Sequence, residues 1–311
     1  MILDLADLDV IFLTYDEPNK EEAWLKIKNM VPWAKRVDGV KGSDAAHKAA
    51  ARASDTERFI LVDGDNVPDE DFFNKQLDFT DKDPSFYTAQ FRWKARNHIN
   101  GLCYGNGGIS SWTKTYVEKM RTHEASDGNP SHTVDFCMDS SDNQYWAMHD
   151  CYSTTYPNHS PFQAWRAGFR EGVKMCLVNG DLPSVIDFKA TVATRNMNNL
   201  TIWHNVGLDV QNGAWAIAGA RFGTYQVMLG EWDHRRVQSF EVINRLWQMY
   251  GDLDPTEEAD RMGIILRTKL ALPICTLDAE QSRFFKRHQP EVRNRGPLVK
   301  EMDVIRKLEG W

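Results

Sequence analysis

Phe59-Ile60-Leu61-Val62-Asp63-Gly64-Asp65-Asn66 is the stretch that decides how this chain is read. Four consecutive apolar residues predict a fully buried strand. Two carboxylates, separated by one glycine, follow at its carboxyl end. Carboxylates are hard oxygen donors of the kind that hold Mg²⁺ or Mn²⁺, and a cation held there can bridge to a diphosphate. A bare Asp-x-Asp also occurs in solvated turns. The buried strand before it distinguishes this one.

Upstream, strand and helix alternate. Asp9 to Tyr15 is apolar and β-branched, predicts a second buried strand, and ends at Asp16-Glu17-Pro18-Asn19. Trp24, Ile27, Met30 and Val31 recur at helical spacing between Lys20 and Val31, and Pro32 closes that helix. A short strand at about 34–37 follows. Ser43 then reads as the cap of an alanine-rich helix running to Ala53. Such alternation predicts an α/β fold whose sheet is mostly parallel, with right-handed crossovers. Ligands of such sheets sit outside the carboxyl ends of the strands. Tyr15, Asp16 and Glu17 share that edge with Asp63 and Asp65.

Downstream, residues 86–93 alternate and predict a strand, 101–108 a glycine-rich loop, and 113–121 a short helix. Residues 122–160 are rich in Asp, Ser, Asn, His and Pro and read as a long loop. Phe162, Trp165, Phe169 and Val173 predict a helix over 161–175. Residues 200–223 alternate strand signals with Gly and Asn turns. Helices are predicted over 236–250, 255–270, 278–288 and 298–308. This divides the chain into an α/β domain, 1–231, and a helical C-terminal region, 232–311.

The 311 residues are 42% apolar and carry a net charge of −7, which suits a globular chain with a sizeable core rather than a wholly basic nucleic-acid coat. Apolar runs fall far short of the ~18 residues a membrane span needs. The acidic N-terminus has no leader pattern. Five cysteines without a CxxC pair predict neither a disulfide framework nor a zinc cluster, and a reducing cytoplasm is the expected location. The eleven tryptophans are expected mainly in the core.

Lys41-Gly42-Ser43-Asp44-Ala45-Ala46-His47-Lys48, followed by helix, strand and Asp63-Gly64-Asp65, resembles the nucleotide-binding half of GT-A glycosyltransferases. With Tyr15-Asp16-Glu17-Pro18-Asn19, Pro32 to Val37 and Gly39 to Gly42, the chain looks more specifically like base-J-associated glucosyltransferases. That family includes phage enzymes that glycosylate hydroxymethylated pyrimidines in DNA. The resemblance covers about 9–230. It extends to Gly105 to Ser110, Pro161 to Gly172 and Trp203 to Gly207.

The resemblance implies a GT-A fold, a nucleotide-sugar donor such as a UDP-sugar, Mn²⁺ or Mg²⁺, and an inverting transfer. Tyr15, Asp16, Glu17, Asp44 and Lys48 would line the nucleotide. Asp63 would bind ribose or metal-bound water, and Asp65 would ligate the metal. His204 would add a third ligand from a strand end, with His159 in reserve. Gly107 and Gly108 would support donor sugar and acceptor. Asp135 is the candidate base, ahead of Asp139 and Asp142. Arg166 and Arg170, one helical turn apart, are placed to clamp a diphosphate.

A DNA acceptor needs a local positive surface. Residues 283–307 hold eight basic side chains, among them Lys286, Arg287, Arg293 and Arg295, against three acidic ones. Phe91-Arg92-Trp93-Lys94-Ala95-Arg96-Asn97-His98 is a second basic-aromatic stretch. Two other readings stay open: the same chemistry on a polysaccharide or protein hydroxyl, and a haloacid-dehalogenase-like phosphohydrolase. The latter expects its aspartate on the first strand and a later acidic pair, whereas here two strand–helix units come first.

Overall fold

A computed structural model of the chain describes residues 1–122, 138–139 and 145–289. The strands are β1 (Ile2–Asp4), β2 (Asp9–Thr14), β3 (Lys35–Asp38), β4 (Arg58–Asp63), β5 (Asn66–Pro68), β6 (Gln76–Asp78), β7 (Gln90–Asn97), β8 (Cys103–Thr113), β9 (Arg121–Thr122), β10 (Met138–Asp139) and β11 (Tyr145–Thr155). The helices are α1 (Lys20–Met30), α2 (Ser43–Ala53), α3 (Lys114–Lys119), α4 (Pro161–Lys174), α5 (Phe188–Thr191), α6 (Thr194–Asn205), α7 (Gly213–Met228), α8 (Phe240–Tyr250), α9 (Pro255–Leu270) and α10 (Ala279–Arg287).

The fold is α/β, built on a seven-stranded sheet in the order β3-β2-β4-β8-β7-β11-β5. The sheet is mixed. β2 pairs parallel with β3 and β4, and β7 with β11. β8 lies antiparallel between β4 and β7, and β5 antiparallel on β11. The expected mostly parallel sheet is thus corrected. β8 comes from the 101–108 segment, read as a glycine-rich loop, and residues 105–108 are strand instead. β2, β3, β4, β7 and β11 nevertheless run in one direction, so their carboxyl ends share an edge.

Alternation sends side chains to two cores. Val10, Phe12, Ile60, Val62, Trp93 and Ile109 pack with Ala23 and Ile27 of α1 and with Val31 just after it on one face. Ile11, Phe59, Leu61 and Trp112 pack with Ala50 and Ala51 of α2 and Val117 of α3 on the other. α2 begins after Gly42, whose φ of +93° turns the chain into it, and Ser43 makes no cap. Thr113 does cap α3, accepting the Tyr116 N–H at 3.2 Å.

Two expectations fail in the middle of the chain. The supposed long loop contains β11, whose burial alternates at Trp146–Asp150 and is continuous from there to Ser153. The supposed strands at 200–223 are α6 and α7. Glycines there are contact residues between helices. A Cβ on Gly168 or Gly172 of α4 would stand 1.9 Å or 2.1 Å from the carbonyl oxygens of Ala216 and Ala220. A Cβ on Gly219 or Gly223 of α7 would meet those of Trp165 and Phe169 at 2.1 and 2.3 Å. Two helices this close need small residues on both sides.

The helical core takes Trp165, Phe169, Ile217, Ile243, Leu266 and Ile274 together, so packing continues across residue 231. Buried Arg221 reinforces it, donating to His204 O and Ala259 O at 2.6 and 2.7 Å. Among the described residues no helix is long and apolar enough to cross a membrane.

Candidate functional site

Acidic side chains gather where the co-directional strands end. Leu13 of β2 is registered on Asp63 of β4, which puts the Tyr15-Asp16-Glu17 turn beside the Asp63-Gly64-Asp65 turn. Glu17 accepts the Tyr15 N–H at 2.8 Å. Gly64 lets the two turns meet, since a Cβ there would lie 2.9 Å from Glu17 Cδ. Gly108 has the same function on the other side. Its missing side chain is replaced by Asn66, whose Nδ2 would stand 2.0 Å from a Cβ. Gly107 is also in β8.

The end of β11 secures Asp65. Thr155 Oγ1 donates to Asp65 Oδ2 at 3.1 Å, and the Tyr156 N–H donates to Asp65 O at 2.7 Å. Asn66 Nδ2 donates to Asp65 Oδ1 at 3.0 Å and is itself anchored by Ser153 Oγ at 2.9 Å from Asn66 Oδ1. β5 pairs Asn66 with Thr155 and completes the tie.

Electrostatics mark the cluster. Asp63 is exposed at the end of β4, although the protein packed around its carboxyl withholds solvation from the charged form. That crowding, with the negative charges of Asp65 and Glu17, pushes its pKa up to about 7 against the pull of Arg92. Partial burial likewise raises Glu17, opposed by backbone N–H donors and assisted by Asp65 and Asp16. Arg166 of α4 lies within electrostatic reach of Asp16, Asp65 and Glu17. Burial and Arg170 hold its pKa below the usual guanidinium value, against Asp16, Asp65 and Glu17. Its guanidinium lies 5.4 and 5.0 Å from the rings of Phe162 and Phe240. Arg170 Nε is buried with no hydrogen-bond partner among the described residues.

Several expected site residues lie elsewhere or are otherwise engaged. His204 is not a metal ligand at a strand end. It sits inside α6, 1% exposed, with Nε2 3.0 Å from Thr224 Oγ1. Burial and Arg221 press its pKa down to about 3. The reserve His159 is exposed beside Tyr156 and feels Glu22, Lys26 and Asp65. Asp44 pairs with Lys48 at 2.7 Å and accepts the Thr122 N–H, tying α2 to β9. Lys286 is not a free phosphate contact. It pairs with Asp209 at 2.6 Å and donates to His98 O and Ile99 O. Arg287 is exposed on α10. Asp135, Asp142, Arg293 and Arg295 lie outside the described residues, and of Asp139 only its place in β10 is described.

Sequence reasoning missed Thr155 and Tyr156, whose main-chain N–H binds Asp65, and placed Arg92 only in the basic-aromatic stretch rather than beside Asp63. The β-branched pair Thr154-Thr155 was the available signal, hidden in polar surroundings. Among the described residues no group of three or more His, Cys, Asp or Glu side chains is arranged to hold a metal. The donor set still suits Mg²⁺ or Mn²⁺, which is commonly held by one or two carboxylates while substrate phosphates and water complete the shell.

Fold and site together define an α/β protein with an acidic cluster at the carboxyl edge of its sheet, within electrostatic reach of Arg166. No protein-family model and no curated protein matches the chain.

Proposed function

We propose that the chain is a GT-A-type glycosyltransferase. It would move a sugar from a nucleotide-sugar, such as a UDP-sugar, to the hydroxymethyl group of a modified pyrimidine in DNA. The observation that carries the donor half is the register of β2 on β4, which sets Asp16 and Glu17 beside Asp63 and Asp65 at one strand edge, within electrostatic reach of Arg166. Carboxylates gathered at a strand end with an arginine in electrostatic reach suit a ligand that brings both anionic oxygens and a cation.

In this reading Asp65 would ligate Mn²⁺ or Mg²⁺ and Asp63 would bind ribose or metal-bound water. When bound, the cation neutralises the departing diphosphate. Thr155 and Asn66 keep the Asp65 carboxylate oriented for that task. Arg166 and the unpartnered Arg170 Nε take the diphosphate oxygens from the other side. Tyr15, Asp16 and Glu17 contact the nucleoside. An acidic residue, for which the resemblance nominates Asp135, accepts the proton of the attacking hydroxyl. A base inside a duplex must be flipped out to reach the cleft.

The acceptor rests on the resemblance. A polysaccharide or protein hydroxyl would use the same donor site. The test is to incubate the protein with Mn²⁺ and a panel of nucleotide-sugars, with and without hydroxymethylated DNA, and measure nucleoside diphosphate release. Release stimulated by the modified DNA is the expected result. Release that is indifferent to DNA leaves the donor reading and removes the acceptor. No release with any donor overturns both.

A further inference from the structure

A short row of rings borders the carboxylate cluster. His98 follows β7, and its N–H donates to Thr155 O at 3.0 Å. Its ring lies 4.5 Å from that of Tyr156, tilted by 35°. Tyr156 in turn lies 6.2 Å from His159, tilted by 38°. His98 and Tyr156 are half-buried, and His159 is exposed. The row meets the cluster directly, because the Tyr156 N–H is bonded to Asp65 O.

We propose that this row is the acceptor platform, on which a planar heterocycle of a nucleic acid stacks with its reactive substituent toward Asp65. The inference rests on the transferase reading and adds to it where the acceptor ring lies. Aromatic and imidazole faces stack on bases without sequence preference. These rings are inclined to one another rather than edge-on, and the row ends at solvent on His159, where a ring can enter. Burial keeps both imidazoles below their ordinary pKa, which favours neutral stacking faces at neutral pH.

The row is also braced from behind. Lys286 of α10 holds the carbonyls of His98 and Ile99 at 3.2 and 3.3 Å, and Gln289 donates to Asn100 O at 3.0 Å. Gly101, at φ +76°, passes beneath Lys286, where a Cβ would stand 3.1 Å from Lys286 Cγ. Helix α10 therefore fixes the loop that carries His98.

The experiment measures two affinities on each variant. One is UDP in the presence of Mn²⁺, by calorimetry. The other is a short duplex carrying a single 5-hydroxymethylcytosine or 5-hydroxymethyluracil, by fluorescence anisotropy. Tyr156→Ala and His159→Ala should each weaken duplex binding about tenfold, as expected for a lost base-stacking partner. Tyr156→Phe should bind the duplex like the unaltered protein, and UDP affinity should stay unchanged throughout, because Tyr156 secures Asp65 through its main-chain N–H, which every one of these substitutions keeps. If Tyr156→Ala fails to fold, His159→Ala carries the test, because that residue is exposed. Unchanged duplex binding in the alanine variants overturns the proposal. Parallel loss of UDP and duplex binding also overturns it, by moving the row to the donor side. If the unaltered protein binds UDP but neither duplex, the nucleic-acid platform fails while the donor reading stands. If it binds duplex but not UDP with Mn²⁺, the donor reading fails and the duplex arm still decides the platform.

Discussion

Thr155 Oγ1 donates a hydrogen bond to Asp65 Oδ2 at 3.1 Å, across ninety positions of sequence. The contact joins the end of β11 to the turn after β4. It leaves Asp65 with one oxygen held by Thr155 and the other by Asn66. A carboxylate restrained in this way is oriented before any ligand arrives.

Removing the restraint should be felt in affinity before stability. Thr155→Val is expected to weaken Mn²⁺-dependent UDP binding by about tenfold, the lower end for groups that orient a metal ligand. Asp65→Ala should abolish it. Calorimetric titration checks both, and near-native melting temperatures would show that the fold survives.

His204 should behave as a core residue. Its pKa is lowered to about 3, so the folded protein keeps the ring neutral while the unfolded chain binds a proton below its ordinary value of 6.5. Unfolding is then favoured as pH falls from 6.5 toward 3, and the stability this ring contributes is present above that window. His204→Gln should flatten the decline in melting temperature between pH 6.5 and 4.5 while sparing Mn²⁺-dependent UDP binding. Loss of that binding in a folded variant would return His204 to the site.

Asp63 carries the opposite sign. Its folded pKa of about 7 lies above the ordinary 3.8, so the folded state holds a proton that the unfolded state has released. Stability therefore falls as pH rises through that interval, and the full penalty is present above about 7. In metal-free buffer, Asp63→Asn should raise the melting temperature more at pH 8 than at pH 5. An equal effect at both values would mean that the carboxylate is not crowded by Asp65 and Glu17.

Lys286 and Arg287 are neighbours with different work. Lys286 neutralises Asp209, whose side chain is 5% exposed. Lys286→Met should destabilise the protein by up to about 3 kcal/mol, because a buried carboxylate loses its partner. Arg287→Ala should leave the melting temperature unchanged. If α10 meets DNA phosphate, that variant should flatten the slope of log affinity against log salt by about 0.9. Chemical denaturation and a salt titration of duplex binding give the two readouts.

Sequence by itself determined the first half of the sheet and its acidic edge. Runs such as Val10 to Leu13 and Phe59 to Val62 are apolar enough to require burial on both faces. A carboxylate directly after such a run must lie where the strand emerges. The amphipathic spacing of α1, α4 and α9 was legible for the same local reason. Tertiary structure alone decided the rest. The glycines of α4 and α7 look like turn signals until two backbones are seen in contact. β11 is polar by composition and becomes a strand because β7 and β5 supply its hydrogen-bond partners. His204 and Lys286 carry side chains suited to metal and phosphate. Their surroundings — Thr224 and Arg221 for one, Asp209 and two carbonyls for the other — assign them to the fold, and such neighbours come from distant parts of the chain that no local pattern encodes.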